Sequence, residues 1–153
     1  MKLQLSIIAS FLSLLAIAQT QYLDPNFGQN GIVTTDINNS EEDPHGVYVQ
    51  ADGKIVVTGD LEINGIQDYM VVRYNTDGSL DTSFGNGGKV SIDFSPGDDD
   101  VARGLHFLPN GKIIIQGRKE NVSTSKEAVI ITRLNSDGSL DSTFGINGYI
   151  QHN

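Results

Sequence analysis

The stretch Asn75-Thr76-Asp77-Gly78-Ser79-Leu80-Asp81-Thr82-Ser83-Phe84-Gly85-Asn86-Gly87-Gly88 returns 60 residues later as Asn135-Ser136-Asp137-Gly138-Ser139-Leu140-Asp141-Ser142-Thr143-Phe144-Gly145-Ile146-Asn147-Gly148. Nine of the fourteen positions are identical, and three more exchange only Ser with Thr. A shorter echo, residues 23–31, precedes the matching part of the first copy by 57 residues. A fixed period of this size is typical of repeat architectures.

Composition limits the classes of partner and chemistry. The chain has 153 residues and a formal net charge of -9, with 19 acidic and 10 basic side chains. This acidic balance argues against nucleic acid or an anionic membrane as a partner, because both attract clustered Lys and Arg. The chain has no cysteine, which excludes disulfides, thiolate metal sites and a Cys nucleophile. We expect no cofactor.

The N-terminus has the pattern of a secretory signal peptide. Lys2 is followed by an uncharged, apolar run that ends in Ala16-Ile17-Ala18. We predict a signal peptide over residues 1–18, with cleavage after Thr20 as the alternative. The mature chain is then secreted or periplasmic, at the cell exterior, and carries no membrane span.

The remaining chain predicts an all-β fold. It divides into a partial repeat with an acidic loop (19–45), repeat unit 1 (46–103) and repeat unit 2 (104–153). Asp52-Gly53 and Asn110-Gly111 predict hairpin turns, the first as type I′. Each unit is expected to be a four-stranded sheet, with strands at 47–50, 55–59, 69–74 and 89–94, and at 104–108, 113–117, 128–134 and 149–151. A further strand is predicted at 32–35 and a polar loop at 38–44.

The strands are apolar on both faces, as in Ile55-Val56-Val57 and Ile113-Ile114-Ile115. A sheet with one wet face alternates apolar and polar residues instead. Each sheet therefore predicts a neighbour on both sides, as in stacked propeller blades or a solenoid of sheets.

The run from Asp52 to Gly59, followed by the run from Arg73 to Gly85, resembles the delta-60 repeat family. The second unit matches at Asn110-Gly111-Lys112 and from Arg133 to Gly145. The resemblance implies β-propeller-like repeats of secreted and surface bacterial proteins, with no established activity and no catalytic residues to carry over. A closed propeller needs about 4–8 blades, and two units do not close a ring. Three alternatives stay open: the chain assembles with itself, it pairs with another repeat protein, or it is a remnant of a longer gene.

The repeated motif also resembles the later part of a calcium loop. The candidate ligands are Asn75, Asp77 and Asp81, with Asn135, Asp137 and Asp141 in the second copy. Calcium takes about six to eight oxygens, yet Arg73 and Arg133 stand where the first carboxylate belongs. We therefore favour Asx turns and an Arg–Asp brace over a metal site.

Two acidic runs occupy matching points of the repeat and predict a solvated rim. A sharper interpretation is an interaction rim for a divalent cation or a basic ligand, formed by Glu41, Glu42, Asp43, Asp98, Asp99 and Asp100. The recurring Phe27, Phe84 and Phe144 predict plugs in the core or between units.

No catalytic constellation is recognisable, so we predict a non-enzymatic module for structure or for interaction with protein or glycan. The alternatives are a fragment of a larger propeller enzyme or surface protein, and a weak calcium-binding repeat.

Overall fold

A computed structural model describes residues 23–152 of the chain. The described residues up to Val33 form one compact unit, and those from Thr34 onward form a second. The predicted signal peptide lies outside the described residues. No helix within 23–152 is long and apolar enough to cross a membrane.

The second unit contains two four-stranded antiparallel sheets, each a meander in which sequential strands pair. Such sheets are the expected all-β repeat units, so this prediction is confirmed. Sheet 1 consists of β1 (Glu41–Val49), β2 (Ile55–Ile63), β3 (Ile66–Tyr74) and β4 (Lys89–Ile92). Sheet 2 consists of β5 (Asp99–Phe107), β6 (Ile113–Asn121), β7 (Lys126–Leu134) and β8 (Tyr149–His152).

The first strand of each sheet begins five residues before the predicted unit boundary, at Glu41 and Asp99. The prediction of a polar loop up to Pro44 was therefore wrong. β1 and β5 are edge strands, where proline and charged residues are tolerated because one side of the backbone has no ladder partner. Each strand has a register shift, between Pro44 and Gly46 and between Ala102 and Gly104.

The tight turns differ in place from the prediction. Asp52-Gly53 does not form a type I′ turn, because only Gly53 has positive φ, at 83°. Asn64-Gly65, which joins β2 to β3, is a two-residue turn in which both φ values are positive, at 56° and 80°. It extends β2 and β3 well beyond the predicted strand ends.

Residues 32–35 do not form the predicted strand, and only an isolated bridge joins Gln29 to Ile32. A β-strand is stabilised by pairing with a neighbour, and the described residues provide none for this segment. Strand propensity alone was insufficient here.

The two sheets pack face to face. We call front the face of sheet 1 that carries Val56, Tyr69 and Val71, and back the opposite face; the same names apply to the repeat-related faces of sheet 2. The front of sheet 1 and the back of sheet 2 share one core of fully or nearly fully buried residues, which also includes Phe84, Ile92, Ala102, Ile113, Ile115, Ile130 and Leu134. Each such apolar side chain contributes about 1.5–3 kcal/mol by leaving water.

Candidate functional site

The first copy of the motif is held by a carboxylate between two cations. Arg73 Nε and Lys54 Nζ each lie 2.7 Å from Oδ2 of Asp81. The Ser83 hydroxyl donates to the other oxygen of Asp81, at 2.7 Å. Burial alone would raise the pKa of Asp81, but the hydrogen bonds from Lys54 and Ser83 and the charge of Arg73 hold it well below its usual range. The carboxylate is therefore ionised and engaged.

This brace continues into the second sheet. Nη1 of Arg73 donates to the carbonyl oxygen of Ser136, at 2.6 Å, and the guanidinium lies 4.4 Å from the Phe84 ring centroid. The backbone N–H of Gly85 donates to the carbonyl of Asp137, at 2.7 Å. The turn of the second repeat therefore accepts hydrogen bonds from Arg73 and Gly85 of the first repeat.

Phe84 fills the space between the two repeats and is fully buried. It lies against Gly138, where an added Cβ would come within 2.9 Å of the phenyl ring. Gly138 also has a φ of +88°, which L side chains rarely adopt. The prediction of a plug between units is confirmed for Phe84, whereas Phe27 and Phe144 are half-buried.

Aromatic contacts extend the same junction along the sheets. Tyr48 on β1 stacks on Phe107 of β5, with ring centroids 4.6 Å apart. Phe94 contacts Tyr69 and Tyr149 edge-on, at 5.0 and 4.9 Å between centroids.

The second copy of the motif forms the same Arg–Asp brace. Within residues 23–152, its arginine lacks the contact that Arg73 makes with the following repeat. Arg133 Nε lies 2.6 Å from Asp141 Oδ2, Lys112 also contacts this oxygen, and the Phe144 ring centroid lies 4.6 Å from the guanidinium. Hydrogen bonds from Lys112 and Thr143 hold the pKa of Asp141 well below its usual range. Within residues 23–152, Nη1 of Arg133 has no acceptor equivalent to the Ser136 carbonyl. The Arg133 side chain is 23% exposed, against 9% for Arg73.

The candidate calcium ligands serve the turns instead. Asp77 accepts the backbone N–H of Ser79 at 2.9 Å and its hydroxyl at 2.7 Å. Asn75 donates to the Ser79 hydroxyl and to the Leu80 carbonyl, at 3.0 and 3.3 Å. Asn135, Asp137 and Asp141 repeat these contacts. The Asx turns and the Arg–Asp brace of the preferred interpretation are present in both repeats.

The front of sheet 2 is exposed, whereas the repeat-related front of sheet 1 is covered by sheet 2. Alternation along β7 places Val129, Ile131 and Arg133 on this face, because Ile130 points into the shared core. Val129 is 54% exposed, while its counterpart Tyr69 is fully buried. Ile150, which pairs with Ile131, is 45% exposed.

The back of sheet 1 is open at one edge. Val47 and Val49 are 70% and 61% exposed, whereas their counterparts Leu105 and Phe107 pack on the shared core. Ile37 covers another part of this face and contacts the cluster that contains Met70 and Val72.

The two acidic runs do not form one uniform exposed edge. Glu41 and Asp43 are exposed and Glu42 and Asp99 are half-buried, whereas Asp98 and Asp100 are buried. Asp98 accepts from Asn121 Nδ2 at 2.8 Å and lies 3.1 Å from Lys119 Nζ. Sequence position alone did not separate the inward from the outward acids.

Asp100 instead joins Asp68 and Asp93, with one potential ligand atom from each lying within 4.8 Å of the others. The Phe94 N–H donates to Asp100 Oδ2 at 2.8 Å. Asp100 Oδ1 is buried without a hydrogen-bond partner, as is the Tyr69 hydroxyl. Burial, supported by the charges of Asp93 and Asp68, raises the pKa of Asp100 to about 7, against the opposing effects of the Phe94 N–H and Lys119.

A second polar cluster contains the one histidine that contacts a buried acid within 23–152. His45 Nε2 lies 2.7 Å from Oδ1 of the buried Asp60 and 3.0 Å from Arg103 Nη1. Gln67 donates to the other oxygen of Asp60, at 2.9 Å. Burial raises the pKa of Asp60. The Arg103 guanidinium already supplies a positive charge beside His45 and Asp60.

Comparison with known families agrees with the geometry. Residues 50–84 and 108–144 match the model of a family described as a domain of unknown function (DUF5122) beta-propeller. The chain contains β-propeller-like repeats. Each matched segment runs from the first turn of a repeat to the phenylalanine of its motif, so it includes the Arg–Asp brace. No curated protein and no solved structure matches the chain significantly.

Proposed function

We propose that the protein is an exported, non-enzymatic propeller-like module that associates head to tail with further copies of itself. The observation that carries the proposal is the front of sheet 2. Its repeat-related face in sheet 1 is closed by a following sheet of the same kind, whereas Val129 and Ile150 are open. Exposed apolar patches of this type mark interaction surfaces.

A second copy offers the open edge of the back of sheet 1 as the complementary surface. The stack of Tyr48 on Phe107 joins sheets 1 and 2 within the chain. The repeat-related residues are His106 on the front of sheet 2 and Val49 on the back of sheet 1, and both are exposed. Head-to-tail association would bring His106 of one copy against Val49 of the next.

The polar contact at this junction also has a counterpart. Arg73 donates to the Ser136 carbonyl within the chain. Between copies, Arg133 would donate to the backbone of the turn that contains Thr76, which is the counterpart of Ser136 and is exposed. A charge-assisted hydrogen bond here would fix the register of the two copies.

Such contacts are heterologous, because each copy uses two different surfaces. They generate a closed ring where the rotation per copy permits it, and an open filament otherwise. Propellers have about 4–8 blades, so two sheets per copy give a ring of about two to four copies.

The non-enzymatic part of the proposal rests on the state of the repeated acids. Asp81 and Asp141 are each held by an arginine and a lysine. A general acid or nucleophile must reach its substrate, and these carboxylates are committed to the brace. The two acids that recur in both repeats, Asp81 and Asp141, therefore have a structural role in this proposal.

The test is the molar mass of the mature protein by light scattering after size exclusion. We expect a discrete species of about two to four copies. Val129→Asp, on the front of sheet 2, should give a folded monomer because it places a charge in the junction. Val122→Asp makes the same substitution on the exposed β6–β7 turn, outside the proposed junction, and should leave the assembly intact. A monomeric parent protein would contradict head-to-tail association.

A further inference from the structure

We propose that Asp68, Asp93 and Asp100 form a calcium site at the junction of the two sheets. The three residues come from β3, from the segment after β4 and from β5. The site therefore joins both sheets of the chain, and it is separate from the head-to-tail faces of the proposed function.

The spacing of the carboxylates fits one ion. Oxygens that bind the same calcium at about 2.3–2.6 Å lie at most about 5 Å apart. One potential ligand atom from each of the three residues lies within 4.8 Å of the others. Asp68 and Asp93 reach this arrangement because Asp68 directly precedes Tyr69 and Asp93 directly follows Ile92, and these two residues are paired in the ladder between β3 and β4.

The buried oxygen of Asp100 is suited to binding a cation. Asp100 is fully buried, and its Oδ1 has no hydrogen-bond partner. A buried carboxylate oxygen without a donor is costly unless it is paired or coordinates a metal. Its other oxygen accepts the Phe94 N–H, which fixes the orientation of the carboxylate.

The local charge balance leaves room for a divalent cation. The charges of Asp93 and Asp68 both disfavour ionisation of Asp100. Lys119 is the neighbouring cation, but its Nζ lies 3.1 Å from Asp98 and is engaged there. The buried Tyr69 hydroxyl is neutral, because burial and the charge of Asp100 raise its pKa. Bound calcium would offset the repulsion among the three acids.

The class of cation follows from the ligands and the exposure. All three ligands are carboxylates, which suit hard cations. Asp93 is exposed, so water can enter from its side and complete the six to eight ligands that calcium takes. Magnesium needs near-ideal octahedral geometry, which three acids on three backbone segments do not impose.

The first repeat provides a matched comparison. Glu42 stands at the position of Asp100 and accepts the Ile37 N–H at 2.7 Å, just as Asp100 accepts the Phe94 N–H. Its Oε1 also accepts the Ser40 hydroxyl, at 2.8 Å. Glu42 thus accepts the equivalent backbone N–H without belonging to a three-acid cluster among residues 23–152. Glu42→Gln therefore controls for loss of that contact alone.

The experiment titrates calcium chloride into the EDTA-treated mature protein and follows the heat and the Tm. We expect one calcium per chain and a Tm rise of roughly 5–10 °C at 100 times Kd. Asp93→Asn, at an exposed position, should fold normally and lose the Tm rise. Asp100→Asn should lose it too, whereas Glu42→Gln should keep it.

Two results would overturn the site. One is the absence of both heat and Tm change up to about 10 mM calcium, beyond the weakest extracellular sites. The other is an unchanged calcium response in Asp93→Asn. Repeating the titration on Val129→Asp separates this test from head-to-tail association, since that variant is expected to be monomeric and to retain all three acids.

Discussion

Nη1 of Arg73 donates to the carbonyl oxygen of Ser136 at 2.6 Å, across 63 residues of sequence. The same guanidinium contacts Asp81 and the ring of Phe84. One side chain therefore supports its own turn, covers the plug and joins the next repeat. Arg133 keeps the first two contacts and lacks the third within the described part of the chain.

Replacing Arg73 should cost more stability than replacing Arg133. Arg73→Ala leaves a buried Asp81 with one cation and removes the contact with Ser136, so we expect a loss of about 3 kcal/mol. Arg133→Ala likewise leaves the buried Asp141 with one cation, but its guanidinium is more exposed and makes no contact between repeats within residues 23–152, so it should cost about 1 kcal/mol less. Urea unfolding measures both, at a protein concentration that keeps the chain monomeric. Equal losses would show that the contact between repeats contributes nothing.

Gly138→Ala should destabilise the chain more than Gly65→Ala. Both glycines have φ near +80 to +88°, so both alanine variants share a backbone cost of about 1 kcal/mol. At Gly65 an added Cβ meets no atom within 4 Å, whereas at Gly138 it meets Phe84 at 2.9 Å. We expect at least a further 1 kcal/mol at Gly138, as for overpacked sites. A matched loss at the two positions in thermal unfolding would argue that Phe84 does not lie on Gly138.

Without calcium, Asp100 should make the protein less stable as the pH rises. Its folded pKa of about 7 exceeds the ordinary value of 3.8, so the folded state keeps a proton that the unfolded state has lost. This contribution is fully present below pH 3.8 and is lost as the pH passes through 7. Asp81 and Asp141 have the opposite shift, and their contribution is lost only in acid.

The measurement compares the free energy of unfolding of the parent protein and Asp100→Asn in EDTA, at pH values on both sides of 7. The difference between the two free energies of unfolding isolates the contribution of Asp100 from those of the other titratable groups. We expect the parent to lose stability relative to Asp100→Asn as the pH rises. A difference that does not change with pH would refute a raised pKa for Asp100.

The strand interiors were predictable because their pattern is simple. Runs such as Ile113-Ile114-Ile115 are apolar on both faces, and they lie in the middle of packed sheets. The early start of β1 was not predictable from composition, because Pro44 and the acids around it are typical of loops. An edge strand accepts them, and edge position depends on the whole sheet.

Part of the site could also be derived from the motif. Arg73 and Asp81 stand at a repeated spacing, and the brace between them follows from their charges. The three-acid cluster was missed because Asp68, Asp93 and Asp100 belong to different strands or connections and share no motif. The register of β3 with β4 and the packing of β5 bring them together, and neither can be obtained from spacing alone.

The most direct test of head-to-tail association uses single cysteines, since the chain has none of its own. His106→Cys and Val49→Cys are prepared separately, mixed and treated with a short thiol cross-linker. The stack of Tyr48 on Phe107 predicts that these two positions meet between copies, so we expect the mixed cross-link between the two variants. Each variant alone should give almost none. Cross-linking of His106→Cys with itself, or no product at all, would contradict the account.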